Sequence, residues 1–132
     1  MNYQYIGKST PVNNSRAKAS GLLRYAGDMK LPNMLHMKLV LSPVAHGIVK
    51  AIDSSAALAM PGVAAVLSFE NTVDTKYNRG RVRISEDVMD QETLFSRHVR
   101  FVGDRVAAVL ADSPEIAAAA AEAIQLEIEE LP

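Results

Sequence analysis

The stretch from Val106 to Glu129 constrains this chain more than any other. An apolar run, Val106–Ala111, passes through Asp112-Ser113-Pro114-Glu115 into a series of alanines, and Gln125–Glu129 then alternates Leu126 and Ile128 with polar residues. Asp112 or Ser113 offers a side-chain oxygen to the orphan N–H groups of a helix start. Pro114 fits the first turn, where an N–H is not needed, and Glu115 meets the positive end of the helix dipole. The spacing predicts a helix over Pro114–Ile124 with a strand on either side. Side chains as small as alanine let such a helix lie close on a sheet.

The remainder adds strands and one short helix. Leu35, Met37, Leu39 and Leu41 alternate with His36, Lys38, Val40 and Ser42, which predicts a strand whose leucine face is buried. Pro43 ends it, because proline lacks the ladder N–H. Gly47–Ile52 reads as a second extended run. Asp53-Ser54-Ser55 then caps a short alanine-rich helix over Ser54–Met60, stopped by Pro61-Gly62. Val63–Phe69 is a near-continuous apolar run, expected as a strand buried on both faces. Earlier in the chain, residues 1–20 read as an extended polar arm, and Leu22–Ala26 as the first ordered run. From about 70 to 91 the pattern fails: charges and Asn dominate, and only Val82 and Ile84 suggest a short strand. Order resumes at Leu94-Phe95 and Val99–Val102, with a tight turn at Gly103-Asp104. Strands and few helices intermixed in this way define an α+β domain, expected to have one mixed sheet, over residues 21–132.

Composition excludes several functions. The chain has 132 residues and no cysteine, so it offers no thiolates for an iron–sulfur cluster, no Cys-type zinc site and no thiol nucleophile. Fourteen basic and 15 acidic residues leave a net charge of −1, without the clustered cations that nucleic acid binding needs. The most apolar late stretch, Ile116–Ile128, is short and interrupted by Glu122, Gln125 and Glu127, so no membrane span is expected. The expected location is cytoplasmic.

Individual side chains give no reaction. His36 falls on a strand, on the face opposite the leucines. His46 lies in the turn Ser42-Pro43-Val44-Ala45-His46, where it either braces the turn or a subunit contact or acts as a titratable loop histidine; no acid or nucleophile is spaced to pair with it. His98, between Arg97 and Arg100, reads as surface. These three make no HExxH or other metal spacing, and no GxGxxG, P-loop or nucleophile elbow occurs. Glu86, Asp87, Asp90 and Glu92 lack calcium-loop spacing and read as a solvated acidic loop. Arg79, Arg81 and Arg83 alternate, forming a small basic stripe of the kind that protects a sheet edge or meets a carboxylate or phosphate. No catalytic, cofactor-binding or metal-binding residue is assigned.

Two ordered blocks carry a resemblance. One runs Tyr5-Ile6-Gly7-Lys8-Ser9-Thr10-Pro11, Arg24-Tyr25-Ala26-Gly27-Asp28, Leu31-Pro32, Ser42-Pro43, Ala45-His46, Ile52-Asp53 and on to Val66-Leu67. The other runs Val99-Arg100-Phe101-Val102-Gly103, Val106-Ala107-Ala108-Val109, Ala111-Asp112, Glu115-Ile116-Ala117 and Glu129-Glu130-Leu131-Pro132. In order and spacing they resemble the N-terminal a/b hammerhead domain of the molybdenum-binding large subunit of the xanthine dehydrogenase/aldehyde oxidase family. The resemblance spans nearly the whole chain except about 70–91.

Such a resemblance implies part of an oxidoreductase that hydroxylates a purine, another N-heterocycle or an aldehyde with oxygen from water. It implies a molybdenum-pyranopterin, iron–sulfur clusters and a flavin (FAD) carried by other domains or subunits, with C-terminal molybdenum-binding domains as the immediate partners. An isolated domain of this kind is expected to be inactive. The alternative is a scaffold or interaction module that has lost the molybdopterin domains. Family members commonly have Arg-x-Asp where Val12-Asn13-Asn14 stands, an Arg where Leu41 stands, and a Gln/Glu-Pro pair where Asp104-Arg105 stands. These departures suit a distant bacterial member, and an Arg in place of Pro at 105 is expected to loosen the turn. The segment Tyr77–Met89 is the candidate specificity element.

Overall fold

The computed structural model describes residues 3–77 and 92–132, which fall into two compact units, one ending at Pro32 and one spanning Asn33–Pro132. In the first unit, the region expected to be a plain extended arm contains helix α1, Ser15–Ala19. Its Arg, Ala and Lys residues are good helix formers. The helix ends in a paired turn: Leu22 N–H reaches the Ala17 carbonyl at 2.9 Å and Gly21 N–H the Lys18 carbonyl at 3.2 Å. Gly21 takes φ +70°, the left-handed conformation this ending requires and glycine adopts without strain. Leu22–Ala26 forms no strand; a single 3-10 turn, Ala26–Asp28, follows, tied by the Tyr25 N–H to the Asp28 carboxylate at 2.9 Å.

The described residues of the second unit form six strands: β1 (His36–Leu41), β2 (Gly47–Asp53), β3 (Val63–Ser68), β4 (His98–Val99), β5 (Arg105–Ala111) and β6 (Gln125–Glu130). Between them lie helices α2 (Ser55–Leu58) and α3 (Pro114–Glu122). The α+β class holds, but the one mixed sheet does not. Two three-stranded sheets form instead, ordered β1-β5-β3 and β4-β2-β6, and every pairing is antiparallel. The cause is α3, which carries the chain out of the first sheet at β5 and delivers it to the second at β6. The strand–helix–strand unit therefore never closes a parallel pair.

Helix α3 begins as its sequence dictates. Ser113 is extended and its Oγ accepts the Ile116 N–H at 3.2 Å, with Pro114 in the first turn. At α2 the cap is different: Ser54 makes no side-chain cap, and Asp53 Oδ1 accepts the Ser55 N–H at 2.9 Å. The centre of the unit is β5, where Val106, Ala107, Ala108, Val109 and Ala111 are fully buried. Alternation sends Ala107 and Val109 into a cluster with Val40, Ala57, Val66, Ala120 and Ile124, while Val106 joins Val49 and Val99. Ile52 and Leu126 pack against both clusters and so join the two sheets.

Two burial expectations are reversed. β3 is an edge strand, so of its residues only Val66 and Ser68 are buried. In β1 the alternation is present with the opposite sense. Val40 and the following Ser42 point into the core, whereas Leu35, Met37, Leu39 and Leu41 are 44%, 60%, 36% and 48% exposed. The Val40 side is taken by α3, whose Ala120 and the following Ile124 belong to its cluster.

Candidate functional site

Three features concentrate polar order and exposed apolar surface in the second unit. The first is a neck formed by Tyr77 and Glu92, whose main chains exchange hydrogen bonds of 2.8 and 3.0 Å as an isolated antiparallel bridge. Arg105, at the start of β5, reaches this neck. One guanidinium nitrogen donates to the Tyr77 hydroxyl at 2.7 Å, to Glu92 Oε2 at 3.3 Å and to the Thr93 carbonyl at 3.4 Å. The guanidinium carbon also lies 5.9 Å from the Tyr77 ring centroid.

The second feature is the turn from Arg100 to Asp104. Asp104 is buried, and its carboxylate accepts three donors: Ser96 Oγ–H at 3.1 Å, Arg100 N–H at 3.2 Å and Arg105 N–H at 2.9 Å. The expected loosening at Arg105 is therefore not what the structure shows. An arginine retains the N–H that proline lacks, and that N–H ties the turn to Asp104. Ser42 joins the same knot, donating its N–H to the Asp104 carbonyl and accepting the Gly103 N–H, each at 2.8 Å. The end of β1 is thus fixed to a turn that presents Phe101 and Val102 at 52% and 64% exposure. Leucine face and turn are coupled through Ser42.

The histidines form the third feature. His46 Nδ1 lies 2.7 Å from the Pro132 carbonyl and its Nε2 lies 3.0 Å from His98 Nε2. A carbonyl only accepts, so His46 Nδ1 carries the proton there. With His46 neutral, His98 then donates its Nε2–H to the bare His46 Nε2. The His46 side chain thus ties the Ser42–His46 turn to the Pro132 segment and to His98. His98 is exposed, as expected, and it faces His46 across a separation of 52 residues that no local pattern signals. His36 is half-buried rather than on an exposed face, close enough to Glu115 for its charge to favour that carboxylate.

Two carboxyls are held below their ordinary range. Asp53 is stabilised as a carboxylate by hydrogen bonds from the Ser55 side chain and backbone. Glu115 is stabilised first by its own backbone N–H at the start of α3, then by the Ser113 side chain, with a smaller contribution from His36. Arg79, Arg81, Arg83, Glu86, Asp87 and Asp90, the suggested strand at Val82 and Ile84, and the specificity element Tyr77–Met89 beyond Tyr77 itself lie outside the described residues. Of the acidic group only Glu92 is described, and it is part of the neck. Among the described residues no group of three or more His, Cys, Asp or Glu is placed to hold a metal ion. No described helix is long and apolar enough to cross a membrane.

The described residues thus form a small two-sheet domain whose β1 leucines are exposed. Residues 20–132 match the family model described as the a/b hammerhead domain of aldehyde oxidase and xanthine dehydrogenase, and the chain belongs to that family. It is 44% identical over 108 residues to the carbon monoxide dehydrogenase large chain of Hydrogenophaga pseudoflava, covering 82% of this chain and 13% of that protein. It is 36% identical over 120 residues to the xanthine dehydrogenase molybdenum-binding subunit of Escherichia coli O157:H7, covering 88% of this chain and 16% of that one. The fold superposes on quinoline 2-oxidoreductase from Pseudomonas putida 86 with a TM-score of 0.83 at 35% identity, covering 96% of this chain and 16% of that structure. The chain therefore spans 13–16% of the length of these relatives.

Proposed function

We propose that this chain is the hammerhead domain of a molybdenum hydroxylase subunit, and that its own task is to dock against and help wall the molybdenum-binding domains. The observation that carries the reading is the open leucine face of β1, coupled through Ser42 to Phe101 and Val102. Large apolar side chains exposed together on one strand face mark an interaction surface. We assign as its occupant the molybdenum-binding remainder of a larger subunit, the part by which the relatives exceed this chain. The relatives are named for carbon monoxide, xanthine and quinoline, so a shared domain fits scaffolding better than substrate choice.

On this reading the assembled protein is an oxidoreductase that hydroxylates a purine, another N-heterocycle or an aldehyde with water-derived oxygen, in the cytoplasm. Its molybdenum-pyranopterin, iron–sulfur clusters and FAD belong to other domains and subunits. The described residues do not fit those groups as metal ligands. The chain has no cysteine, and its described residues contain no cluster of three metal-ligating side chains. The chemistry is the cofactor's; the domain supplies position and enclosure.

Co-expression with the downstream region of a family large subunit tests the proposal. The two should co-purify, with hydrogen-exchange protection gained over Leu35–Leu41 and Phe101–Val102. The double variant Leu39→Lys/Leu41→Lys should abolish co-purification and leave the chain's own thermal midpoint unchanged. Protection confined to α3, or co-purification that survives the double variant, would overturn the assignment. A scaffold that has lost its molybdopterin domains would form no pair at all.

A further inference from the structure

The docking role makes no use of one pair of side chains. His46 precedes β2 and His98 opens β4, and the register that places Gly47 opposite Val99 and Ile48 opposite His98 brings the two rings together. Their Nε2 atoms are 3.0 Å apart and their ring planes are tilted by 35°. His46 is half-buried and His98 exposed, so solvent reaches the pair.

We propose that His46 and His98 chelate a divalent late first-row transition ion, Ni2+ or Cu2+, with water in its remaining positions. The first reason is preparation. The Pro132 carbonyl, 2.7 Å from His46 Nδ1, fixes the proton on that nitrogen and leaves the Nε2 lone pair facing His98. A carbonyl behind the distal ring nitrogen is the usual support of a metal-ligating histidine, since it sets the tautomer and the ring orientation.

Spacing supplies the second reason. An ion about 2.0–2.1 Å from each nitrogen, with the nitrogens 3.0 Å apart, subtends roughly 91–97°. That is the cis angle of octahedral or tetragonal coordination and is narrower than the tetrahedral angle zinc favours.

Binding shifts a tautomer and releases no net proton from the neutral pair. The Nε2–H that His98 donates to His46 is exchanged through solvent for an Nδ1–H on His98, while His46 keeps its Nδ1–H against Pro132. Both Nε2 lone pairs then bind the ion and no electron is transferred. The bound ion links β4, the entry to β2 and the Pro132 segment, and it raises the thermal midpoint because it binds the folded chain.

Calorimetric titration of the untagged chain with NiCl2 and with ZnCl2, alongside NMR of the histidine ring protons, tests the site. One Ni2+ per chain is expected, bound more tightly than Zn2+, with the His46 and His98 signals broadened or shifted. His98→Gln and His46→Gln should each weaken Ni2+ by at least about tenfold, whereas His36→Gln should bind as the parent does. Unchanged binding in His98→Gln, or an equal loss in His36→Gln, overturns the proposal. His98 is exposed, so if His46→Gln fails to fold, His98→Gln decides alone.

Discussion

The guanidinium of Arg105 donates to the hydroxyl of Tyr77 across 2.7 Å, although 28 residues separate the two in the chain. The same side chain reaches Glu92 and Thr93, while its backbone N–H is held by Asp104. One residue at the start of the central strand therefore ties two surface features to the core. The resemblance to the family implies proline at this position, and neither set of contacts would survive that exchange.

Arg105→Ala should destabilise the chain by about 1.5–3 kcal/mol, the range for hydrogen bonds to a charged group. Tyr77→Phe should cost about 0.5–1.5 kcal/mol, because it removes a single acceptor. Urea denaturation measures both. Exchange of the Tyr77 and Glu92 amides should quicken in Arg105→Ala and less so in Tyr77→Phe. If denaturation midpoints match the parent for both, the neck contributes no stability.

Asp104 offers a sharper case because it is buried and acceptor-only. Its carboxylate takes donors from Ser96, Arg100 and Arg105. Asparagine at 104 has the same shape but turns one oxygen into a donor, which sets N–H against at least one of them. The expected loss is about 1–3 kcal/mol, accompanied by faster exchange at the Arg100 and Arg105 amides. Stability equal to the parent's would mean the turn is held by Ser42 and the Gly103 backbone without the carboxylate.

Acid should weaken the fold through Asp53 and Glu115. Both carboxyls are held below their ordinary values of 3.8 and 4.5, chiefly by Ser55 for Asp53 and by the helix-start N–H for Glu115. A carboxyl lowered on folding stabilises above its unfolded value and loses that contribution as pH falls through its folded value. The thermal midpoint should therefore begin to fall near pH 4.5 and keep falling below 3.8. The Asp53→Asn/Glu115→Gln pair should flatten that decline. An identical slope in the pair and the parent would assign the acid sensitivity to other groups.

Local chemistry made much of this fold readable. Ser113-Pro114-Glu115 marked the start of α3 because capping is settled within one turn of chain, and β5 was legible because its whole run is apolar. The leucine face of β1 was legible as a face and misread in direction. Alternation shows which side of a strand is apolar, but not whether the covering belongs to the same chain. Val40 turns inward because α3 takes that side, which leaves Leu39 and Leu41 outward. The His46–His98 contact was unreadable for another reason: it depends on the register of β2 against β4, and no local pattern encodes that register.

The same strand pairing leaves Gly47 no room for a side chain. A Cβ built there would lie 2.8 Å from the Glu129 carbonyl oxygen and 2.8 Å from Ile128 Cγ2. The isoleucine methyl can rotate away, but the carbonyl belongs to the β2–β6 ladder and cannot move without breaking it. Gly47 is also buried, paired with Val99 on one side and Glu130 on the other, so the backbone at this position is held from both sides. Gly47→Ala should therefore cost about 1–3 kcal/mol, the usual penalty for overpacking a filled site. The damage should be local to the second sheet: amide exchange rises in β2, β4 and β6, while β1, β5 and β3 stay protected. The variant should also part His46 from His98, since both depend on the β2–β4 register, and so lose Ni2+ affinity along with stability. A Gly47→Ala chain of parental stability, measured by urea denaturation, would show that β6 can yield and that the two sheets are less tightly registered than the packing around Gly47 requires.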